Sequence, residues 1–231
     1  MGMSMKKEIT LKQSQLVIKS NWLVRRAEYD LTEQAQKILL FFISKIKPED
    51  DDFVEYSVDL HDICDLLEIS FDTNNYNKIE DSILMLTEPF VVEDNKTVYF
   101  FQWIFGGEID KNTYQFSFHF DPRLKPHLLH LKDNFTQFQL KDVMKMKSKY
   151  SIRLYEYLKS YASVGNIIMP IKELRKILNM ENEYIVYKDF RVNVIDKSLA
   201  EINRFTPLKI SYSPVRTGRI ITDLSFVIKS D

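Results

Sequence analysis

Asn193, Lys197 and Arg204 stand four and seven residues apart in the stretch KDFRVNVIDKSLAEINRF, residues 188–205. On a 3.6-residue wheel they share one stripe with the small Ala200, opposite an apolar stripe of Val192, Ile195, Leu199 and Ile202. The amide of Asn193 and the cation of Lys197 suit base edges, while Arg204, near the helix end, suits phosphate or solvent. Asn can bridge N6 and N7 of adenine, and Lys or Arg can reach O6 and N7 of guanine. Lys188 and Arg191 sit near the helix start. A solvated polar face is the simpler reading of the same residues.

Two further basic groups fit phosphate. MKMKSKYSIR places Lys145, Lys147, Lys149 and Arg153 around a helix start that Ser148 can cap, where free N–H groups and the helix dipole favour an anion. Arg216 and Arg219 flank Thr217-Gly218 at a hairpin tip, a placement suited to phosphate or the minor groove. The bland alternatives are a solvated linker and an ordinary polar turn.

Catalytic patterns are poor. Five glycines include no GxxxxGK[ST] loop, and His61, His119, His127 and His130 are scattered. HLLH at 127–130 has helical spacing but no third ligand in view, and no His-x-His pair stands beside a nucleophilic tyrosine. The expectation is a protein that is not an enzyme, with no cofactor and no metal.

The elements that must position these groups follow one order twice. In the first copy YDLTEQAQKILLFFISKI reads as a helix capped at Thr32, with Ala35, Ile38, Leu39, Phe42, Ile43 and Ile46 on one apolar stripe and an end before Pro48. A short strand, FVEYSV, and two helices follow; the second buries Tyr76, Ile79, Ile83 and Leu86. Strands come next, with turns at Asp94-Asn95 and Asp110-Lys111-Asn112, and Tyr114, Phe116, Phe118 and Phe120 alternate as a half-buried strand does. The second copy runs SKYSIRLYEYLKSYA (helix), NIIMP (strand), IKELRKILNM (helix), the opening stretch (helix) and a hairpin, LKISYSPVRTGRIITDLSFVIK. Helix, strand, helix, helix, hairpin is the order of a winged helix. The expected fold is α+β with tandem winged-helix domains, residues 1–140 and 141–231.

Charge separates the halves. The chain has 231 residues and a formal charge of −1, yet residues 1–140 hold 15 basic and 23 acidic side chains, while 141–231 hold 17 and 10. A basic module joined to an acidic one suggests that the first meets a polyanion and the second does something else. In a winged helix the third helix reads the major groove. In the second copy that helix is the opening stretch, whereas its counterpart at 76–87 offers Asn77, Glu80 and Asp81 with only Lys78 basic. That face repels phosphate, so the first copy suits protein contacts, its strands being long enough to pair across a homodimer. No apolar run approaches a membrane span, the start lacks the apolar segment of a secretory signal, and Cys64 is the one cysteine, which together suggest the cytoplasm and no membrane.

VIKSNWLVRRAEYDLTEQAQKILLFFISKI, SKYSIRLYEYLKSY and YKDFRVNVIDKSLAEIN followed by a hairpin resemble, in order and over about residues 16–229, the iteron-binding initiators of theta-type plasmid replication, the RepB/RepE-like family. The resemblance implies binding of double-stranded DNA at repeated origin sequences, a homodimer that can repress its own promoter, and recruitment of host replication proteins such as the initiator and helicase. It also implies base contacts from Lys188, Arg191, Asn193 and Lys197. Some members touch DNA through the N-terminal domain as well; the acidic helix at 76–87 departs from that pattern. A DNA-nicking replication enzyme and a simple winged-helix repressor on a single palindrome are the alternatives.

Overall fold

The computed structural model describes residues 6–9, 15–47 and 49–230, so the expected stop at Pro48 lies outside the described residues. After β1 (Lys6–Ile9), β2 (Leu16–Ser20) runs into α1 (Asn21–Arg26), where the Ser20 hydroxyl accepts from the Leu23 N–H. A two-residue strand, β3 (Ala27–Glu28), precedes α2 (Glu33–Ile43), which starts where Thr32 accepts from the Ala35 N–H. Every residue of α2 from Ala35 to Ile43 is buried, so Leu40 and Phe41 join the expected stripe. A helix apolar on this much of its circumference must be enclosed.

The first winged helix continues through β4 (Glu55–Asp59), α3 (Leu60–Leu67), α4 (Thr73–Met85), β5 (Phe90–Asp94), β6 (Thr97–Phe101), β7 (Ile104–Asp110) and β8 (Gln115–Phe120). Its sheet has the order β1-β4-β8-β7, with β1 parallel to β4 and the other pairs antiparallel. The wing is therefore β7–β8, while β5–β6 is a separate hairpin paired through β5 to β3. Both expected turns are present. Phe116, Phe118 and Phe120 are buried, and the ring of Phe118 lies 4.5 Å from that of Phe42. At Gly107 the wing strands approach so closely that a Cβ would stand 2.7 Å from the Ser117 carbonyl oxygen.

After α5 (Lys125–Leu128), β9 (Phe135–Gln139) returns antiparallel to β2, and α6 (Lys141–Met144) leads to α7 (Lys149–Lys159), capped as expected by Ser148. The second winged helix is completed by β10 (Asn166–Pro170), α8 (Ile171–Ile177), α9 (Tyr187–Phe190), a wide π-type turn over Arg191–Asp196, α10 (Lys197–Phe205), β11 (Leu208–Thr217) and β12 (Ile220–Ser230). Its antiparallel sheet has the order β10-β12-β11.

Helix α7 joins the two copies, and its interior charges correct one expectation. Arg153 does not face a ligand: its side chain is 4% exposed. The guanidinium donates to the Ala27 carbonyl at 2.7 Å and the Ile177 carbonyl at 3.4 Å, lies 4.9 Å over the Tyr29 ring and is 3.8 Å from the Glu156 carboxylate. The other Glu156 oxygen pairs with buried Lys19 of β2. Burial pushes the Lys19 ammonium below its ordinary value, against the opposing pull of Glu156.

The 187–205 segment corrects a second. Val192, expected in the core stripe, is 41% exposed, while Val194 is 1% exposed. The π turn spends one more residue per turn, so the stripe arriving from Leu199 and Ile195 continues to Phe190, five residues back, instead of Val192.

Two stability tests follow from these placements. The buried cluster holds two cations and one carboxylate. Glu156→Gln therefore strands both cations and costs about 3–5 kcal/mol, whereas Lys19→Met leaves a neutral pair and costs less than about 1.5 kcal/mol in urea unfolding. Equal losses would refute the assignment. Val194→Ser is expected to cost about 2 kcal/mol or more, and Val192→Ser to stay within about 0.5 kcal/mol. The reverse order would restore the regular helix.

Candidate nucleic-acid interface

Helix 187–205 is pinned to the sheet behind it at two points. Asn203 donates from Nδ2 to the Ile210 carbonyl at 2.9 Å and accepts from the Ile210 N–H at 2.7 Å. The Tyr212 hydroxyl donates to Asp196 at 2.6 Å; burial, then that carboxylate, push its phenol above the ordinary value. Phe190, Val194, Ile195, Ser198, Leu199 and Ile202 face inward. What remains outside holds four cations, the carboxylates of Asp189 and Asp196, and the apolar Val192 and Ala200.

On that outer side Lys188, Arg191, Lys197 and Arg204 are exposed and Asn193 is half-exposed. Lys197 donates to the Asn193 amide oxygen at 3.2 Å, which orients that amide with its NH2 group available. Arg191 stands 3.7 Å from Asp196, and the Arg204 guanidinium lies 5.2 Å from the Phe205 ring. Arg216 and Arg219 are both exposed at the tip of the β11–β12 hairpin, where Gly218 takes the left-handed φ of 64° that the tight turn demands. Arg216 donates to the Arg219 carbonyl at 3.3 Å. Helix and hairpin meet where Tyr212, four residues before Arg216 on β11, bonds Asp196; burial pushes the half-buried Tyr187 phenol above its ordinary value.

The structure does not assemble the phosphate site expected at the start of α7. A carboxylate already occupies it, because Glu201 of α10 accepts from the Lys147 N–H at 2.9 Å. Ser148 takes the Tyr150 N–H, Lys149 pairs with Asp30 at 2.7 Å, and Arg153 is interior. Only Lys145 and Lys147 of that group stay exposed. In the first copy, α4 shows Asn77, Lys78 and Asp81 to solvent, and Glu80 stands 3.8 Å from Lys111.

Among the described residues no three His, Cys, Asp or Glu side chains converge as metal ligands, and no helix is long and apolar enough to cross a membrane. The pattern reading missed Arg175. Its guanidinium, 4.4 Å over the Phe190 ring, donates to the carbonyls of Glu183 and Tyr184, bracing the turn that enters the helix. Its only signal in the sequence was a cation on the polar side of α8.

The chain resembles known proteins along most of its length. A replication initiation protein of Escherichia coli is 26% identical over 228 residues, covering 94% of this chain and 70% of that protein. The crystal structure of the Pi initiator protein in complex with iteron DNA superposes with a TM-score of 0.77 at 17% identity, over 96% of this chain and 99% of the other. Domains 2 and 3 of RctB superpose with a TM-score of 0.51 at 12% identity, over 86% and 82%. The model of the first winged helix of initiator replication proteins matches residues 16–159, and that of their second winged helix matches 170–228. With both winged helices matched in order, the chain belongs to the family of initiator replication proteins.

Proposed function

We propose that this protein starts replication without being an enzyme, by binding repeated origin sequences in double-stranded DNA through its second winged helix. The observation that carries the reading is the outward set Lys188, Arg191, Asn193 and Lys197 on a helix fixed to its sheet, with Arg216 and Arg219 exposed at the tip of the hairpin that the helix is bonded to. The Pi initiator of the same fold, seen with iteron DNA, supports it. In this reading Asn193 and Lys197 meet base edges, while Arg204 and the wing arginines meet phosphate. The protein works in the cytoplasm with its replicon. The acidic portion up to Leu140 makes protein contacts, including those with host replication proteins, and the basic portion from Lys141 makes the DNA contacts.

The same acidic portion supplies the homodimer. Strand β6 is an outer strand of its sheet and exposes Val98, Tyr99 and Phe100 beside a concavity lined by Trp22, Arg123 and His127. An uncharged apolar edge of this kind pairs with a second copy of itself. A dimer of this sort suits repression of its own promoter.

Asn193→Ala and Lys197→Ala should each lower discrimination between a duplex selected from a random pool and an unrelated one by about 1–3 kcal/mol. Arg219→Ala should weaken both duplexes alike and flatten the log–log salt slope by about 1, from about −4 to −5 if five phosphates are neutralised. Salt-insensitive binding, or magnesium-dependent nicking of the duplex, would overturn the proposal. For the dimer, Phe100→Glu should convert a sedimenting dimer to monomer without loss of helical circular dichroism. A wild-type monomer at micromolar concentration would exclude the β6 interface.

A further inference from the structure

The turn that enters helix 187–205 carries two bare aliphatic side chains. Ile185 is 80% exposed and Val186, the residue before the first helical turn, is 60% exposed. Water contact on this scale is costly for β-branched residues, and a pliable loop would fold them inward. This loop is held open. Arg175 donates from one terminal nitrogen to the Glu183 carbonyl at 2.5 Å and from the other to the Tyr184 carbonyl at 2.6 Å and the Ile185 carbonyl at 3.4 Å. The Tyr150 hydroxyl holds Glu183 at 2.9 Å, and Tyr184 takes a left-handed φ of 46°, uncommon for an aromatic residue. On the far side, the N–H groups of Asp189 and Phe190 both bond the Val186 carbonyl at 3.1 Å. The backbone is braced from both ends while its apolar side chains are left outside.

We propose that Ile185 and Val186 read thymine, by packing against C5-methyl groups on the floor of the major groove. The inference rests on the DNA reading above and adds a base preference to it. Three features select this occupant over an apolar protein surface. The pair stands at the N-terminal end of the recognition helix, the end that approaches base edges when such a helix lies in the groove. Charged groups surround it on both sides. Lys188 two residues and Arg191 five residues beyond Val186 are exposed, beside the exposed carboxylates of Asp189 and of Glu183, the latter held by Tyr150. A greasy protein partner would have to desolvate all of those charges, whereas in a wet major groove Lys188 and Arg191 reach phosphate and the carboxylates stay in water. The thymine methyl is also the one apolar group that the major groove presents, and an aliphatic side chain is its natural complement. Donors at 193 and 197 with aliphatics at 185 and 186 then divide one site into a hydrogen-bonded part and an A·T-reading part.

The test removes methyl groups and nothing else. A duplex selected from a random pool by the full chain is remade with deoxyuridine in place of each thymine in turn, and affinities are measured for wild type, Ile185→Ala and Val186→Ala. Wild type should lose about three- to fivefold at one or two positions. At those positions one of the variants, already weakened by a similar factor on the thymine duplex, should lose nothing further. Two results would overturn the proposal while leaving DNA binding intact: a wild type indifferent to every uracil, or variants that keep the full wild-type methyl effect. Failure to select any duplex would instead remove the underlying DNA reading. Both side chains are exposed, so unchanged melting temperatures are expected for the variants and would exclude misfolding as the cause of a loss.

Discussion

One guanidinium holds the two winged helices in register. Arg153 reaches a carbonyl of each, Ala27 on β3 of the first and Ile177 at the end of α8 in the second. Both acceptors are away from bulk water, where an unsatisfied carbonyl costs a substantial part of a hydrogen bond. Around this point Lys176 of α8 pairs with Glu28 at 3.1 Å and with Glu93 at 2.5 Å, and Arg25 of α1 bonds Ser160 beyond the end of α7 at 2.9 Å. Such an interface is directional. Apolar surfaces can slide against one another at small cost, but these bonds exist at one relative orientation only. A buried ionic cluster contributes little net stability against an apolar alternative, and its better-attested effect is to specify geometry. A protein that must set one reading helix at a defined place relative to a second module gains from that kind of joint.

Much of this architecture was legible because it is written in local periodicities. The wide stripe of α2, the alternation at 116, 118 and 120, the turns at Asn95 and 111–113 and the repeated helix-strand-helix-helix-hairpin order are all patterns within a few residues. Arg153 was not legible for the opposite reason. In sequence it follows three lysines at a helix start and reads as surface, yet its strongest acceptor is 126 residues away. Val192 failed differently: a regular wheel cannot register a π turn, which displaces the stripe without changing composition. Ile185 and Val186 carried the weakest signal, since an aliphatic pair before a helix is normally a route into the core.

Charge and domain structure do not share a boundary in the simple way that composition suggests. Residues 141–159 contribute six basic and two acidic side chains, and the family model places them with the first winged helix. Some of that charge is consumed internally, by Asp30 on Lys149 and Glu156 on Arg153. The field that a polyanion meets is therefore shaped less by net charge than by which cations remain unpaired in one direction. On 187–205 and the wing Lys188, Lys197, Arg204, Arg216 and Arg219 are exposed, with Arg191 beside Asp196; around α7 Lys141, Lys145 and Lys147 are exposed while Lys149 and Arg153 are paired within the chain.

Two copies of one fold have been differentiated at their edges as well as at their third helices. The sheet of the second copy ends in strands that resist pairing: β11 carries Lys209 and Pro214 and a bulge between Val215 and Arg216, and β10 ends at Pro170. Prolines, lysines and bulges on outer strands are the usual means of keeping a sheet from adding a neighbour. Strand β6 in the first copy has none of them; its sequence, TVYFF, contains no proline and no charge. The outer strands of the second-copy sheet are thus blunted against pairing, and β6 is not. On those blunted strands the same prolines and the bulge lie in the sheet that backs the basic helix and carries the wing.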